Sequence, residues 1–164
     1  GPSHAVSAAC ASGTIALGEA FRAIRHGYAD AVVVVGAEDS LTRLDVASTA
    51  NTRALTRSWN DEPTRASRPF DRSRSGFVMS AGAAALVLEA GSLVERRGAR
   101  PLATLRGYGV STDAYHLTAP HPEGAGAVLA MRQALVDAQL TPEEVDYVNA
   151  HGTSTTLNDA TELR

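Results

Sequence analysis

The sequence predicts an α/β fold. Short apolar, β-branched runs alternate with stretches of helical period, several junctions carry a Gly, a Pro or a capping residue, and 164 residues with 44% apolar and 20% charged side chains suffice to bury a core. Such alternation implies a largely parallel sheet. The same composition excludes a disordered or collagen-like chain. No apolar run nears the roughly 18 residues of a membrane-spanning helix. All fifteen basic residues are Arg, and eighteen acids leave a net charge of −3, so there is no electrostatic footprint for nucleic acid.

Taken in order, His4–Ala9 reads as a short strand that runs into Cys10. Ile15, Leu17, Phe21 and Ile24 then follow a 3.6-residue period, predicting a helix that starts around Cys10–Thr14 and stops at Gly27. Ala31–Val35 is β-branched and apolar on both faces, as a buried central strand would be. Residues 51–75 are polar and predict an extended surface loop. Ala83–Leu88 is a second apolar run, and Ser92 with Glu95 has capping-box spacing for a short helix ending at Gly98.

Leu102–Gly109 predicts a strand, and Thr112–Glu123 a loop containing His and Pro. Val128, Leu129, Ala134, Leu135 and Ala138 pattern a helix. Thr141-Pro142-Glu143-Glu144 supplies a cap, an N1 proline and an acidic first turn. Val145–Ala150 is strand-like and leads into His151-Gly152-Thr153-Ser154-Thr155.

Two reactive side chains, Cys10 and His151, therefore fall where an apolar run meets a helix, and carboxyl ends of strands are where α/β sheets bind ligands. A thiolate at a helix amino terminus is stabilised by unpaired N–H groups and the macrodipole. Ala8, Ala9, Ala11, Ser12 and Gly13 leave room for a carbonyl to approach the sulfur. The alternative for Cys10 is a small buried apolar side chain, and for His151 a capping histidine bonded to backbone; spacing leaves both open. An imidazole that donates from Nε2 stabilises an oxyanion or enolate.

Weaker constellations point elsewhere. His116 and His121 lack partners at zinc-like spacing. No G-x-S-x-G elbow occurs, and Gly124-Ala125-Gly126 lacks the third glycine of a dinucleotide fingerprint. The Arg-rich stretch from Arg53 to Arg74 suits an acidic partner or a solvated face. A lone cysteine and the lack of any Asn-x-Ser/Thr site predict a reducing, cytoplasmic location. Gly1-Pro2 opens the chain without Met, and helix-forming residues run to Arg164, so a segment of a longer protein is expected.

Ser7-Ala8-Ala9-Cys10-Ala11-Ser12-Gly13 resembles the nucleophile motif of the elongating type II β-ketoacyl-acyl-carrier-protein synthases, of the thiolase superfamily. Asn149-Ala150-His151-Gly152-Thr153-Ser154-Thr155 resembles their first catalytic histidine motif. Ser67-Arg68-Pro69-Phe70-Asp71, Gly76-Phe77-Val78-Met79 and Asp113-Ala114-Tyr115-His116 match in order and spacing. The resemblance implies a thiolase-like, layered α-β-α-β-α fold. Residues 1–90 would be the end of its N-terminal half and 91–164 the start of its C-terminal half.

It also implies roles. Cys10 would accept an acyl group from the phosphopantetheine thioester of an acyl carrier protein, and His151 would stabilise the enolate formed when malonyl-carrier loses carbon dioxide. Thr153 and Thr155 match positions that hydrogen-bond the pantetheine arm, Asp113 a loop gating the acyl pocket, and Glu162 an acid that pairs with an active-site lysine. No cofactor or metal is expected, and the parent protein is expected to be a homo- or heterodimer.

The chain departs from the family pattern in places. It holds no lysine and neither a second catalytic histidine nor the glycine-rich oxyanion loop, so the segment alone is expected to be inactive. Ser75 stands where Asp is usual, Ser80-Ala81 where Gly and an acid are usual, and Thr156 where Pro is usual. The competing expectation is a non-catalytic carrier-docking or assembly piece. Retention of Cys10 speaks against the chain-length partner subunits, which have lost the cysteine.

Overall fold

The computed structural model describes residues 1–164. Helix α1 spans Ser12–Arg25 and leads to strand β1, Ala31–Asp39. Helix α2, Arg43–Ala50, begins a long polar connection that includes one 3₁₀ turn, Pro63–Arg65. Strand β2, Ala81–Glu89, is followed by helices α3, Gly91–Arg96, and α4, Ala125–Ala138. A second 3₁₀ turn, Pro142–Glu144, and helix α5, Thr156–Glu162, complete the chain.

The helix ends follow from local chemistry. α1 stops where Gly27 takes φ 74° and donates to Ile24 O at 3.0 Å. α4 closes on Gln139 at φ 57°, with Leu140 N–H donating to Leu135 O (3.0 Å), a left-handed ending on a residue other than glycine. α2 was not legible in the sequence; Thr42 caps it by accepting from Asp45 N–H. α3 starts after Ala90, one residue before the expected box, and no side chain caps it.

The sheet differs from the expected one. β1 and β2 pair antiparallel, from Ala31↔Glu89 to Asp39↔Ala81, and form a two-stranded sheet. α1 packs on it. Side chains alternate across a strand, so Val34 is buried while Val33 and Val35 stay exposed; Leu86 and Val87 of β2 are exposed as well. Within this chain α1 covers one face of β1, and no element of the chain covers the other.

Three expected strands are absent. His4–Ala9, Leu102–Gly109 and Val145–Ala150 run without ladder partners, and a strand exists only where a neighbour completes its hydrogen bonds. The second instead lies along α4, where Tyr108 N–H donates to Asp137 Oδ2 (3.0 Å) and Val110 N–H to Gln133 Oε1 (3.2 Å). The core is correspondingly small: 11 of 164 residues are buried, with Ala20, Val34, Ala66, Tyr108 and Ala138 its apolar part. Its best-defined joint stacks the Tyr108 ring against Gly18 of α1, where a Cβ would run into the ring. Arg22 lies over the same ring, 4.9 Å from its centroid.

Candidate active site

Cys10 lies two residues before α1 on a tight turn. Ala9 adopts φ 48°, and the N–H groups of Ala11 and Ser12 donate to Ala8 O and Ala9 O, both at 3.1 Å. The Ser12 hydroxyl clamps the turn, accepting from Ala8 N–H and donating to Ala9 O, each at 2.7 Å. Positive φ with a Cβ is strained, which small side chains here tolerate best. The Cys10 thiol is exposed. Ala11 caps α1 without a side-chain bond, and the N–H groups of Cys10, Gly13 and Thr14 donate to no other group of the chain. Open donors at a helix amino end favour an oxyanion that develops beside them.

His151 stands at the head of a loop gripped from α5. The Glu162 carboxylate accepts from His151 N–H through Oε1 (2.6 Å) and from Gly152 N–H through Oε2 (2.8 Å), while the Asn158 amide donates to Oε2 at 2.8 Å. Within a chain that has no lysine, this carboxylate fixes the backbone that carries the imidazole. The imidazole itself is exposed and makes no hydrogen bond. Thr153 and Thr155 share a hydroxyl–hydroxyl bond of 2.9 Å, and the Thr155 hydroxyl also caps α5 by accepting from Asn158 N–H. Gly152 (φ 54°) leaves its flank to Pro69 and Phe70, which a Cβ would meet at 3.5 Å.

The hub of this region is Asp159, which sequence reasoning missed. It is fully buried. Oδ2 accepts from Phe70 N–H (2.8 Å) and pairs with Arg74 Nε (3.4 Å); Oδ1 accepts from Ser154 N–H (3.1 Å) and from the Asn158 amide (3.3 Å). Arg74 also donates to the carbonyls of Asp71, Thr155 and Thr156, each at 3.0 Å. Ser154, buried as well, receives Arg68 N–H on its hydroxyl (3.1 Å) and Gly76 N–H on its carbonyl (3.0 Å). Residues 67–76 and 151–159 therefore form one hydrogen-bonded unit. The available signal was an acid in the first turn of a helix, which marks a position but not its burial. In the same unit the Ser73 hydroxyl and N–H hold the Asp71 carboxyl below the usual range, with Arg68 and Arg65 adding to the effect.

Asp113 clasps a loop: Oδ1 accepts from Gly126 N–H (3.0 Å) and Oδ2 from His121 N–H (2.8 Å). His116 and His121 use Nδ1 to accept local backbone N–H groups, and no three His, Cys, Asp or Glu side chains gather as a metal site. The structure thus joins His151, Thr153, Thr155 and Glu162 in one loop-and-helix unit and sets Asp113 on a loop that Arg164 ties to the chain end through Pro122 O (3.1 Å). No hydrogen bond links that unit to the Cys10 turn. Neither of two surface cavities, of about 440 and 370 Å³, is lined by Cys10 or His151. No helix is long and apolar enough to cross a membrane.

Residues 1–93 match the family model for the β-ketoacyl synthase N-terminal domain, and residues 102–164 that for its C-terminal domain. The chain is 49% identical over 164 residues to a mitochondrial 3-oxoacyl-[acyl-carrier-protein] synthase of Arabidopsis thaliana, covering all of this chain and 36% of that protein. It is 48% identical over its whole length to 3-oxoacyl-[acyl-carrier-protein] synthase 2 of Synechocystis sp., covering 39% of it. A β-ketoacyl synthase from Burkholderia phymatum superposes with a TM-score of 0.90 at 41% identity, over 96% of this chain and 38% of that one. A ketosynthase bound to a hexaketide, solved in complex with its type II polyketide acyl-carrier protein, superposes with a TM-score of 0.90 at 37% identity, over 93% and 38%. The chain thus spans well under half the length of these relatives.

Proposed function

The chain belongs to the β-ketoacyl synthase family, and from that premise we propose that it carries the nucleophile and the first catalytic histidine of a decarboxylating condensing enzyme. The observation that carries this reading is the exposed Cys10 thiol on its Ser12-clamped turn, beside N–H donors that nothing in the chain occupies. The Cys10 thiolate attacks the thioester of an acyl carrier protein, and the carrier thiol leaves with a proton. The oxyanion that forms in passing is met by the Cys10 N–H. A malonyl-carrier thioester then loses carbon dioxide. Its enolate, held by the His151 imidazole, attacks the acyl carbon and expels Cys10 Sγ, releasing the β-ketoacyl carrier.

The remaining residues support these steps. Glu162 sets the His151 backbone, and Thr153 and Thr155 present adjacent hydroxyls to the pantetheine arm. Asp113 organises the loop before α4. Residues 1–90 and 91–164 serve as the adjoining parts of two thiolase-like halves. An acyl carrier protein is the partner, a homo- or heterodimer the assembly, and the cytoplasm the place of action.

The test is acyl transfer followed by intact-protein mass spectrometry, on the protein that carries this chain. Incubation with acyl-carrier thioester should add one acyl group at Cys10, and Cys10→Ala should abolish the adduct. His151→Ala should keep the adduct and lose condensation with malonyl-carrier. An adduct that persists without Cys10 removes it as nucleophile. Carrier binding with an inert Cys10 would instead establish a docking piece.

A further inference from the structure

Asn158 lies in the first turn of α5 and is half-buried, and the proposed condensation makes no use of it. Its side-chain amide donates to two carboxylates at once, to Glu162 Oε2 at 2.8 Å and to Asp159 Oδ1 at 3.3 Å. Ionised carboxylates only accept, so the amide nitrogen and not its oxygen must face them. The Asn158 N–H donates to the Thr155 hydroxyl at 3.3 Å. One residue thus touches the buried hub, the carboxylate behind His151 and one of the paired threonines.

The charges around it give that contact its weight. Asp159 is paired with Arg74, but Glu162 forms no ion pair with any group of the chain. Its donors are all neutral: His151 N–H, Gly152 N–H and the Asn158 amide. The first two belong to the loop that Glu162 must hold. Asn158 alone, one turn earlier on α5, ties the carboxylate back to its own helix. Two carboxylates within reach of one nitrogen repel each other, and the amide sets the positive end of its dipole between them.

We infer that Asn158 is a positioning residue for the condensation step, acting through Glu162 on the backbone of His151. The inference rests on the proposed role of His151 and extends it by one residue. Without the amide, Glu162 swings away from Asp159, and the His151 and Gly152 N–H groups lose a fixed acceptor. Acylation of Cys10 is untouched, because no hydrogen bond joins this unit to the Cys10 turn.

The test compares Asn158→Asp and Asn158→Ala in the protein that carries this chain. The Asp variant keeps the shape but sets a third carboxylate between Asp159 and Glu162. The other charged or titratable groups nearby are the Arg74 cation on Asp159 and the His151 imidazole on the loop. Condensation turnover at about pH 8 should fall at least about tenfold with KM for malonyl-carrier unchanged, while Cys10 keeps its rate of acylation. Two flanking acids favour the protonated form of the introduced carboxyl, which donates as the amide does. The deficit relative to the unmodified protein should therefore shrink as pH falls toward about 5.5. Asn158→Ala should lose turnover by a smaller factor with no such recovery, and it carries the test if the Asp variant folds poorly. Hydrogen exchange at the His151 and Gly152 amides, followed by mass spectrometry, should quicken about tenfold in both variants. An equal fall in acylation and condensation would mark a structural contact only and overturn the inference. So would unchanged condensation in both variants, or unchanged exchange at the two amides. A parent protein that does not condense removes the reading of His151, and exchange then decides alone whether Asn158 sets that backbone.

Discussion

Replacing Asp159 with Ala probes the hub that joins residues 67–76 to the His151 loop. The carboxylate is fully buried and receives two backbone N–H groups, from Phe70 at 2.8 Å and Ser154 at 3.1 Å. Truncation strands both donors, at about 1–3 kcal/mol each. Arg74 loses its ion pair but keeps three carbonyl acceptors, and the Asn158 amide keeps Glu162, so these two add little. The expected loss is therefore about 2–6 kcal/mol, a large share of the roughly 5–15 kcal/mol that holds a typical native state. Asp159→Asn conserves shape but turns one acceptor into a donor that faces a donor, and should recover only part of the loss. Urea unfolding reads both variants, with iodoacetamide labelling of Cys10 as a check that the α1 turn is intact. A loss below about 1 kcal/mol in the Ala variant would show that the buried carboxylate does not hold these segments together.

Gly18→Ala should destabilise by about 1–3 kcal/mol despite the better helix propensity of Ala, because the added Cβ runs into the Tyr108 ring; a raised urea midpoint would refute the packing argument. Tyr108→Phe should be stabilising by about 1 kcal/mol, since its hydroxyl is buried without a partner. Burial also raises the Tyr108 pKa above its ordinary value of 10.0, so the stability tied to its neutral form is present below pH 10 and lost as pH rises further. The Phe variant should lack that alkaline limb, and a lower melting temperature at neutral pH would contradict the reasoning. The Arg25 guanidinium, and after it the Tyr108 N–H, hold the Asp137 carboxyl below its usual range. That contribution is present above the unfolded carboxylate pKa and lost as pH falls through the depressed folded value. Arg25→Ala should flatten the acid limb of the stability profile, and an unchanged limb would show that the pair does not couple to folding.

Local signals were legible where the chain itself satisfies them. The period of Ile15, Leu17, Phe21 and Ile24 gave α1, the β-branched run gave β1, and Thr141–Glu144 gave a turn whose Thr141 N–H is met by Glu144 at 2.8 Å. The motifs around Cys10 and His151 marked the family, which whole-length identity to 3-oxoacyl-[acyl-carrier-protein] synthases bears out. Expectations failed where the answer depends on a neighbour. Leu102–Gly109 has strand composition but finds the side chains of α4 rather than a ladder. β1 has the composition of a doubly covered strand, and within this chain one face is covered.

By itself the sequence determined what each stretch can do: which residues turn, which wind into helix, and which side chains have the chemistry to attack or to hold charge. Those properties belong to a residue and its near neighbours along the chain. Only the tertiary structure decided that strands 31–39 and 81–89 run antiparallel, that Asp159 is sealed among backbone donors, and that Glu162 grips the His151 backbone. Pairing direction, burial and the partner of a carboxylate are set by groups far away in sequence, and those meet only when the chain has folded.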